Sequence, residues 1–276
     1  MSKINSSKQT AINPSKERLD YLKKRKRKKV LISLTQILLL IAFIALWEIC
    51  ARLKIIDAFI TSQPSRIINT IVRLYNEGQL FHHIEVTCFE TIIGFILGTV
   101  LGTIIAVILW WSEFLSKVLE PYLVILNSLP KIALGPIFIV WFGAGTTSII
   151  VIALAISIIV SILEVLNGFM ATDEEQIKLV KTFGAARLQI FTKVVFPSNL
   201  PVIINSLKIN VGLSWVGVIV GEFLVSKSGL GYLIVYGGQV FQLDLVMASV
   251  IILCIAAGIM YKAVVLLQKL IVKTHI

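Results

Sequence analysis

Charged side chains are scarce in this chain: Asp, Glu, Lys and Arg make up 15% of its 276 residues, against about 25% in a soluble domain. Cysteine is almost missing. The three present, Cys50, Cys88 and Cys254, match no metal-ligand spacing, and their odd number gives no disulfide framework. They are expected to act as small buried hydrophobes. Histidine is equally rare, and no ladder of Asp, Glu or His crosses the apolar segments as a proton-driven carrier would need. No nucleophile, base and metal set assembles on them either, which argues against catalysis within a membrane. The phosphate-cradling pattern G-x-x-x-x-G-K-[ST] is absent, so the chain is expected to bind no ATP, cofactor or metal of its own.

Apolar residues fill the space that charge leaves, at 57% of the chain with a mean hydropathy of +0.91. A soluble fold of this length would need more polar cover, so the excess must face lipid. The net charge of +11 resembles a nucleic-acid signal only until it is located, since eleven of the 26 Lys and Arg residues precede position 30. Tyr21 stands alone among them, with no aromatic pattern for stacking on bases. The basic segment reads as a topology determinant lying against anionic lipid.

Apolar stretches at 30–50, 86–110, 119–141, 147–167, 199–222 and 245–271 are each long enough to cross about 30 Å of hydrocarbon. The expected fold is an all-α, multi-pass integral membrane protein with about six transmembrane helices. Pro130 and Pro136 interrupt the third, which is expected to be broken or partly re-entrant. With the N-terminus inside, 19 Lys and Arg residues fall on the cytoplasmic pieces and 5 on the external ones. Both termini are therefore expected in the cytoplasm of a cell-membrane protein. The expected organisation is a basic segment at 1–29, a transmembrane domain at 30–271 and a short tail at 272–276. An external loop at 52–85 carries an amphipathic stretch, 64–80, in which Ile67, Ile68, Ile71, Leu74 and Tyr75 gather on one side.

Gly94, Gly98, Gly102 and Ala106 recur every fourth residue, and Gly212, Gly217 and Gly221 repeat the theme loosely. Both sets are expected at helix contacts, where small residues let backbones approach. Such a compact bundle would place a translocation path between two subunits rather than within one. Among charged residues in or near the spans, Glu90 and Lys208 lie several residues deep. With Trp215 and Glu222 they form the candidate path set, against the plainer reading of interfacial or interhelical pairing.

The cytoplasmic loop 168–198 is the most informative stretch. Thr172 and Glu175 have capping-box spacing, with Asp173 and Glu174 in the first turn. Ile177, Val180 and Gly184 follow at i, i+3 and i+7, and Leu179 and Phe183 form a second line. A second short helix at about 185–195 is expected to end before Pro197. This helix–Gly–helix is either a docking knob with apolar residues to satisfy or a hairpin packed on its own spans.

The loop resembles that of permease subunits of binding-protein-dependent ABC importers. The family signature is Glu-Ala-Ala, three residues, Gly, nine residues, Ile-x-Leu-Pro. Lys178-Leu179-Val180 stands in place of Glu-Ala-Ala, Gly184 follows in register, and Val194-Val195-Phe196-Pro197 closes the motif. Lys178 reverses the charge of the family's Glu. Pro64-Ser65, Leu129 through Pro136, Trp141 through Gly145, Gly221-Glu222-Phe223 and Ser228 through Ile234 are similar to the nitrate, sulfonate, taurine and bicarbonate branch, over about residues 35–270.

The resemblance implies a type I importer-like bundle paired with a second permease subunit, two cytoplasmic ATPases that bind ATP and Mg, and an external solute-binding protein. It also implies that residues 172–189 form the helix that couples to an ATPase. The coupling residues would be Thr172, Glu175, Ile177, Lys178, Val180, Lys181, Phe183, Gly184, Ala185 and Leu188. The chain itself would not be an enzyme. Its cargo would be a small anion such as a sulfonate, nitrate or taurine, with a pyrimidine or thiamine precursor or another vitamin-like solute as the alternative. An ion-gradient carrier is the more distant rival.

Overall fold

The structure, a computed structural model, describes residues 16–273. The first fifteen residues of the basic segment and residues 274–276 of the tail, with His275, lie outside the described residues. The chain divides into two units, 1–64 and 65–276. In the first, α1 (Lys16–Arg52) is followed by the single turn α2 (Ala58–Thr61), capped by Asp57 through the Phe59 amide at 2.8 Å. No Gly or Pro interrupts residues 16–52, and Lys, Arg and Leu are good helix formers. The basic run Lys23–Lys29 is therefore part of the same helix as the first apolar stretch, not a separate leader. Glu48 and Arg52 pair across one turn of it at 2.7 Å.

The second unit contains α3 (Pro64–Asn76), α4 (Gln79–Trp111), α5 (Glu113–Ser128), a 3₁₀ turn (Lys131–Leu134), α6 (Gly135–Phe142) and α7 (Thr146–Met170). The loop follows with α8 (Glu174–Thr182), α9 (Arg187–Ile190), a π turn (Phe191–Val195) and α10 (Phe196–Ser198). The chain continues through α11 (Leu200–Val225), α12 (Leu230–Gln239) and α13 (Leu243–Lys273). Among the described residues no strand occurs. Among the described residues five helices are long and apolar enough to cross a membrane, and α5 with α6, bent by 86°, forms a sixth apolar segment. The break falls at Leu129–Pro130, where proline removes a donor and pushes its predecessor out of helical geometry.

The glycine register on α4 packs against α7. A Cβ at Gly94 would stand 2.9 Å from the Ala153 side chain, and Gly98 and Gly102 are closed by Ser157 and Ser161. Gly217 and Gly221 bring α11 onto Ala153 and Ile149 in the same way. Lipid gives no hydrophobic drive between helices, so contact at this range supplies the dispersion that holds the three together. Gly212 departs from expectation: nothing lies within 4 Å of its absent side chain. The opposite face of α4 presents Ile92, Ile96, Val100, Ile104 and Ile108 outward, at helical spacing and suited to acyl chains.

Two apolar clusters occupy opposite ends of α4. One gathers Leu74, Leu80, Leu230, Leu233, Leu245 and Ile252, joining α3, α12 and α13. The other centres on Leu109, Phe169, Phe191 and Val195 beneath the loop. Helix α12 was not expected from the sequence: it falls between the apolar stretches 199–222 and 245–271, where no element was assigned. The amphipathic stretch also departs from its expected form. It ends at Asn76, and its apolar side splits: Ile67 and Leu74 are buried, while Ile68 and Tyr75 are exposed. In a membrane both the bundle and the lipid accept apolar side chains, so one stripe can face each. The cysteines are a further correction. Cys50 and Cys88 are half-buried and Cys254 is exposed, because α13 can present apolar atoms outward at no cost in lipid.

Candidate functional site

The loop between α7 and α11 is built from its caps inward. Asp173, not Thr172, caps α8: its carboxylate accepts the Glu175 amide at 2.9 Å. The sequence spacing suited Thr172, but Asp173 directly precedes the first helical residue and its shorter reach favours it. Thr172 instead turns inward, and its hydroxyl accepts a hydrogen bond from Asn199 Nδ2 at 2.7 Å. Asn199 also donates to the Val195 carbonyl at 2.8 Å. Entry and exit of the loop are thus tied by one buried amide, a role the sequence reading missed because Asn199 stood among ordinary turn residues.

Helix α8 ends in a Schellman turn. The Gly184 amide bonds the Lys181 carbonyl at 2.9 Å and the Ala185 amide bonds the Val180 carbonyl at 3.3 Å. Gly184 has φ +77°, and nothing stands within 4 Å of its absent side chain. Its use is therefore the left-handed turn and not close packing. Val180, Ala185 and Ile177 rest on the cluster beneath the loop. Leu179, Phe183 and Leu188 point the other way, and Phe183 is 82% exposed. One short helix thus has an inner apolar face that fixes it and an outer one left open.

The second half of the loop does not stop before Pro197. It winds from Arg187 to Ser198, widening to π geometry between Phe191 and Val195, where the Phe196 amide reaches back to the Phe191 carbonyl. The wider turn accommodates a proline that has no amide to give. At its start, the Ala186 amide donates to Gln189 Oε1 at 2.8 Å. Lys178, at the charge-reversed position, pairs with Glu174 at 2.9 Å; that hydrogen bond and charge hold the Glu174 carboxyl below its ordinary range.

Of the path candidates, Glu90 and Glu222 come together. Both are 1% exposed and close enough for their charges to interact, and Glu90 Oε2 has no hydrogen-bond partner among the described residues. Glu222 accepts from the Thr87 hydroxyl at 2.6 Å and from the Gly231 amide at 2.5 Å. Thr87 in turn accepts the Leu230 amide at 2.7 Å, and His83 Nδ1 accepts the Gly229 amide at 2.9 Å. Together these groups satisfy the start of α12 and tie it to α4 and α11. Gly229, at φ +111°, makes the turn. The Gly–Glu–Phe and Ser–Gly–Leu–Gly runs were legible in sequence; their partners His83 and Thr87, in the first turns of α4, were not.

Lys208, Trp215 and Glu222 recur every seven residues and so share one face of α11. Lys208 is half-buried and lies roughly 21 Å along the helix from Glu222. Trp215 lines an apolar cavity of about 460 Å³ between α4 and α13, and its indole Nε1 has no hydrogen-bond partner among the described residues. On the broken span, Lys131 Nζ reaches the Asn127 carbonyl at 3.0 Å and remains partly exposed at the bend.

Residues 98–274 match the family described as the inner membrane component of binding-protein-dependent transport systems. A Bacillus subtilis (strain 168) protein, provisionally named an aliphatic sulfonates transport permease, is 29% identical over 86% of this chain and 86% of its own length. The riboflavin transport system permease of Chloroflexus aurantiacus is 30% identical, over 85% and 87%. Among solved structures, a chain of the MetNI methionine ABC transporter in an inward-facing conformation superposes with a TM-score of 0.54. It is 21% identical, covering 68% of this chain and 97% of that one, and so speaks for the fold alone.

Proposed function

This chain belongs to the family of inner membrane components of binding-protein-dependent transport systems, and from that premise we propose that residues 172–189 seat on a cytoplasmic ATPase through Leu179, Phe183 and Leu188. Permeases of ABC importers form the translocation path, are not themselves enzymes, and pair with ATPase subunits and a solute-binding protein. The observation that carries the proposal is the two-sided α8. Ile177, Val180 and Ala185 anchor the loop while three large apolar side chains stay exposed on a turn locked by Gly184. Exposed apolar patches on a braced element mark contact sites.

In this reading Thr172, Glu175 and Gly184 set the loop's shape, Lys178 and Leu188 with Phe183 form its outer rim, and Lys181 supports it from the opposite side. Closure of two ATPases on ATP would draw two such loops together and turn a pair of these chains from inward- to outward-facing. Both termini would then be cytoplasmic, with 1–29 and 272–276 flanking the transmembrane domain 30–271. Glu90 and Glu222 would brace the outer end of the path, with Lys208 and Trp215 on the same helix face. The partner permease is a second copy of this chain.

The cargo is a small anion of the sulfonate, nitrate or taurine kind. Kinship with the sulfonate relative and partly exposed cations at Lys131 and Lys208 support it. A vitamin or a pyrimidine or thiamine precursor is the second reading, favoured by the riboflavin relative at 30% identity against 29% for the sulfonate one. Reconstitution of the chain with its ATPases and binding protein in nanodiscs tests both. Anion-loaded binding protein should stimulate ATP hydrolysis severalfold. Stimulation by a heterocyclic vitamin instead would move the second reading to first place, and no stimulation by any loaded binding protein would contradict the importer assembly.

A further inference from the structure

A cavity of about 510 Å³ lies between the loop and the nearby ends of α4 and α7, lined by Trp110, Glu113, Met170, Ile177, Lys181, Ala185, Arg187 and Ile190. That volume is in the range of small-ligand sites. A smaller one of about 270 Å³ shares Trp110, Met170, Ile177 and Lys181. Arg187 is held in place: its guanidinium lies 5.6 Å from the Trp110 ring centre and 6.0 Å from that of Trp111, and Nη2 donates to the Trp110 carbonyl at 3.4 Å. Most of its fork of donors remains available. The Lys181 ammonium makes no direct hydrogen bond or salt bridge among the described residues; its charge acts on the Glu174 carboxylate, which is paired with Lys178. Glu113, the acidic group on the lining, is engaged by Lys117 at 2.8 Å.

We propose that this cavity binds the phosphodiester of an anionic phospholipid headgroup, with Lys181 and Arg187 as its two cations. Three observations select that chemistry. The cavity sits where the long apolar α4 ends in Trp110 and Trp111, and paired indoles at a span's end mark the headgroup level. Its remaining walls, Met170, Ile177, Ala185 and Ile190, are apolar and suit the glycerol ester below a phosphate. The carboxylate of Glu113 nearby disfavours a dianion, so a singly charged diester fits better than a free phosphate or phosphomonoester. Basic pockets between helices on the cytoplasmic side are a general means of holding such headgroups. Lys181 lies about 160° around α8 from both Leu179 and Phe183 at 100° per residue. A lipid held there would brace the loop from behind and leave its outer face free.

The test uses the assembled transporter, with its ATPases, in phosphatidylcholine nanodiscs titrated with phosphatidylglycerol. Lipid retained per permease chain is read by native mass spectrometry. The wild type should retain phosphatidylglycerol, and Lys181→Gln and Arg187→Gln should each weaken retention about fivefold, compounding in the double variant. Arg187→Gln also removes the stack on Trp110, so Lys181→Gln, which breaks no internal bond, decides the question if the other fails to assemble. Millimolar inorganic phosphate should leave the lipid in place. Undiminished retention in Lys181→Gln, or displacement of the lipid by inorganic phosphate, would overturn the proposal; the second result would assign the cavity to a soluble anion.

Discussion

The carboxylate of Glu222 occupies the space in which a side chain on Gly231 would stand, with Oε2 2.7 Å from the position of the missing Cβ. One residue had to be small for the other to reach the amides at the start of α12. Gly231→Ala should therefore displace Glu222 and destabilise the protein by about 1–3 kcal/mol. Glu222→Ala should cost at least as much, because it leaves the Gly231 amide buried without its acceptor and the Thr87 hydroxyl with only the His83 carbonyl at 3.2 Å. Unfolding in mixed micelles, followed by tryptophan fluorescence, measures both.

Two glycines that look alike in sequence should respond in opposite ways. Gly98→Ala drives a methyl group into the Ser157 side chain and should loosen the contact of α4 with α7, again by about 1–3 kcal/mol. Gly212→Ala meets open space and should leave stability unchanged or raise it by up to about 1 kcal/mol, since alanine is the better helix former. The same unfolding assay compares the pair.

The Thr172–Asn199 bond closes the base of the loop, so Thr172→Val should leave the Asn199 amide with the Val195 carbonyl but without its second buried acceptor. A loss of about 1–3 kcal/mol in local stability follows. It should appear as faster amide hydrogen exchange across 173–190, with the spans unaffected.

Gly184→Ala should strain a turn whose φ is +77° by about 1–2 kcal/mol, although the side chain itself meets nothing. Gly184→Asn should be better tolerated, since asparagine visits the left-handed region more readily. Both should insert into the membrane normally. Coupled ATP hydrolysis should fall more in the alanine variant than in the asparagine one.

The parts of this fold governed by periodicity could be read from the sequence. Gly94, Gly98 and Gly102 keep a strict four-residue spacing and do form the α4–α7 contact. Gly212 lies five residues from Gly217 and so turns away from the face that Gly217 shares with Gly221. Long-range partners were not legible. Thr172 has capping-box spacing, yet its hydroxyl is taken by Asn199, twenty-seven residues on. Glu90 was recognised as a deep charge and Glu222 only as a member of the path set, and nothing local to either announces that they stand together. Pro197 was expected to end a helix; only the widening at Phe191–Val195 lets the helix continue past it.

The outer face of α8 carries the central claim, and affinity purification of this chain from its native membranes tests it most directly. Phe183→Glu alters a side chain that is 82% exposed, so the folded yield should match the wild type. The wild type should bring down an ATPase at about one copy per permease chain. The variant should lose it, as removal of an anchor weakens binding by roughly 30-fold or more. A wild-type chain that emerges without an ATPase under conditions preserving known assemblies, or a variant that retains it in full, would contradict the account.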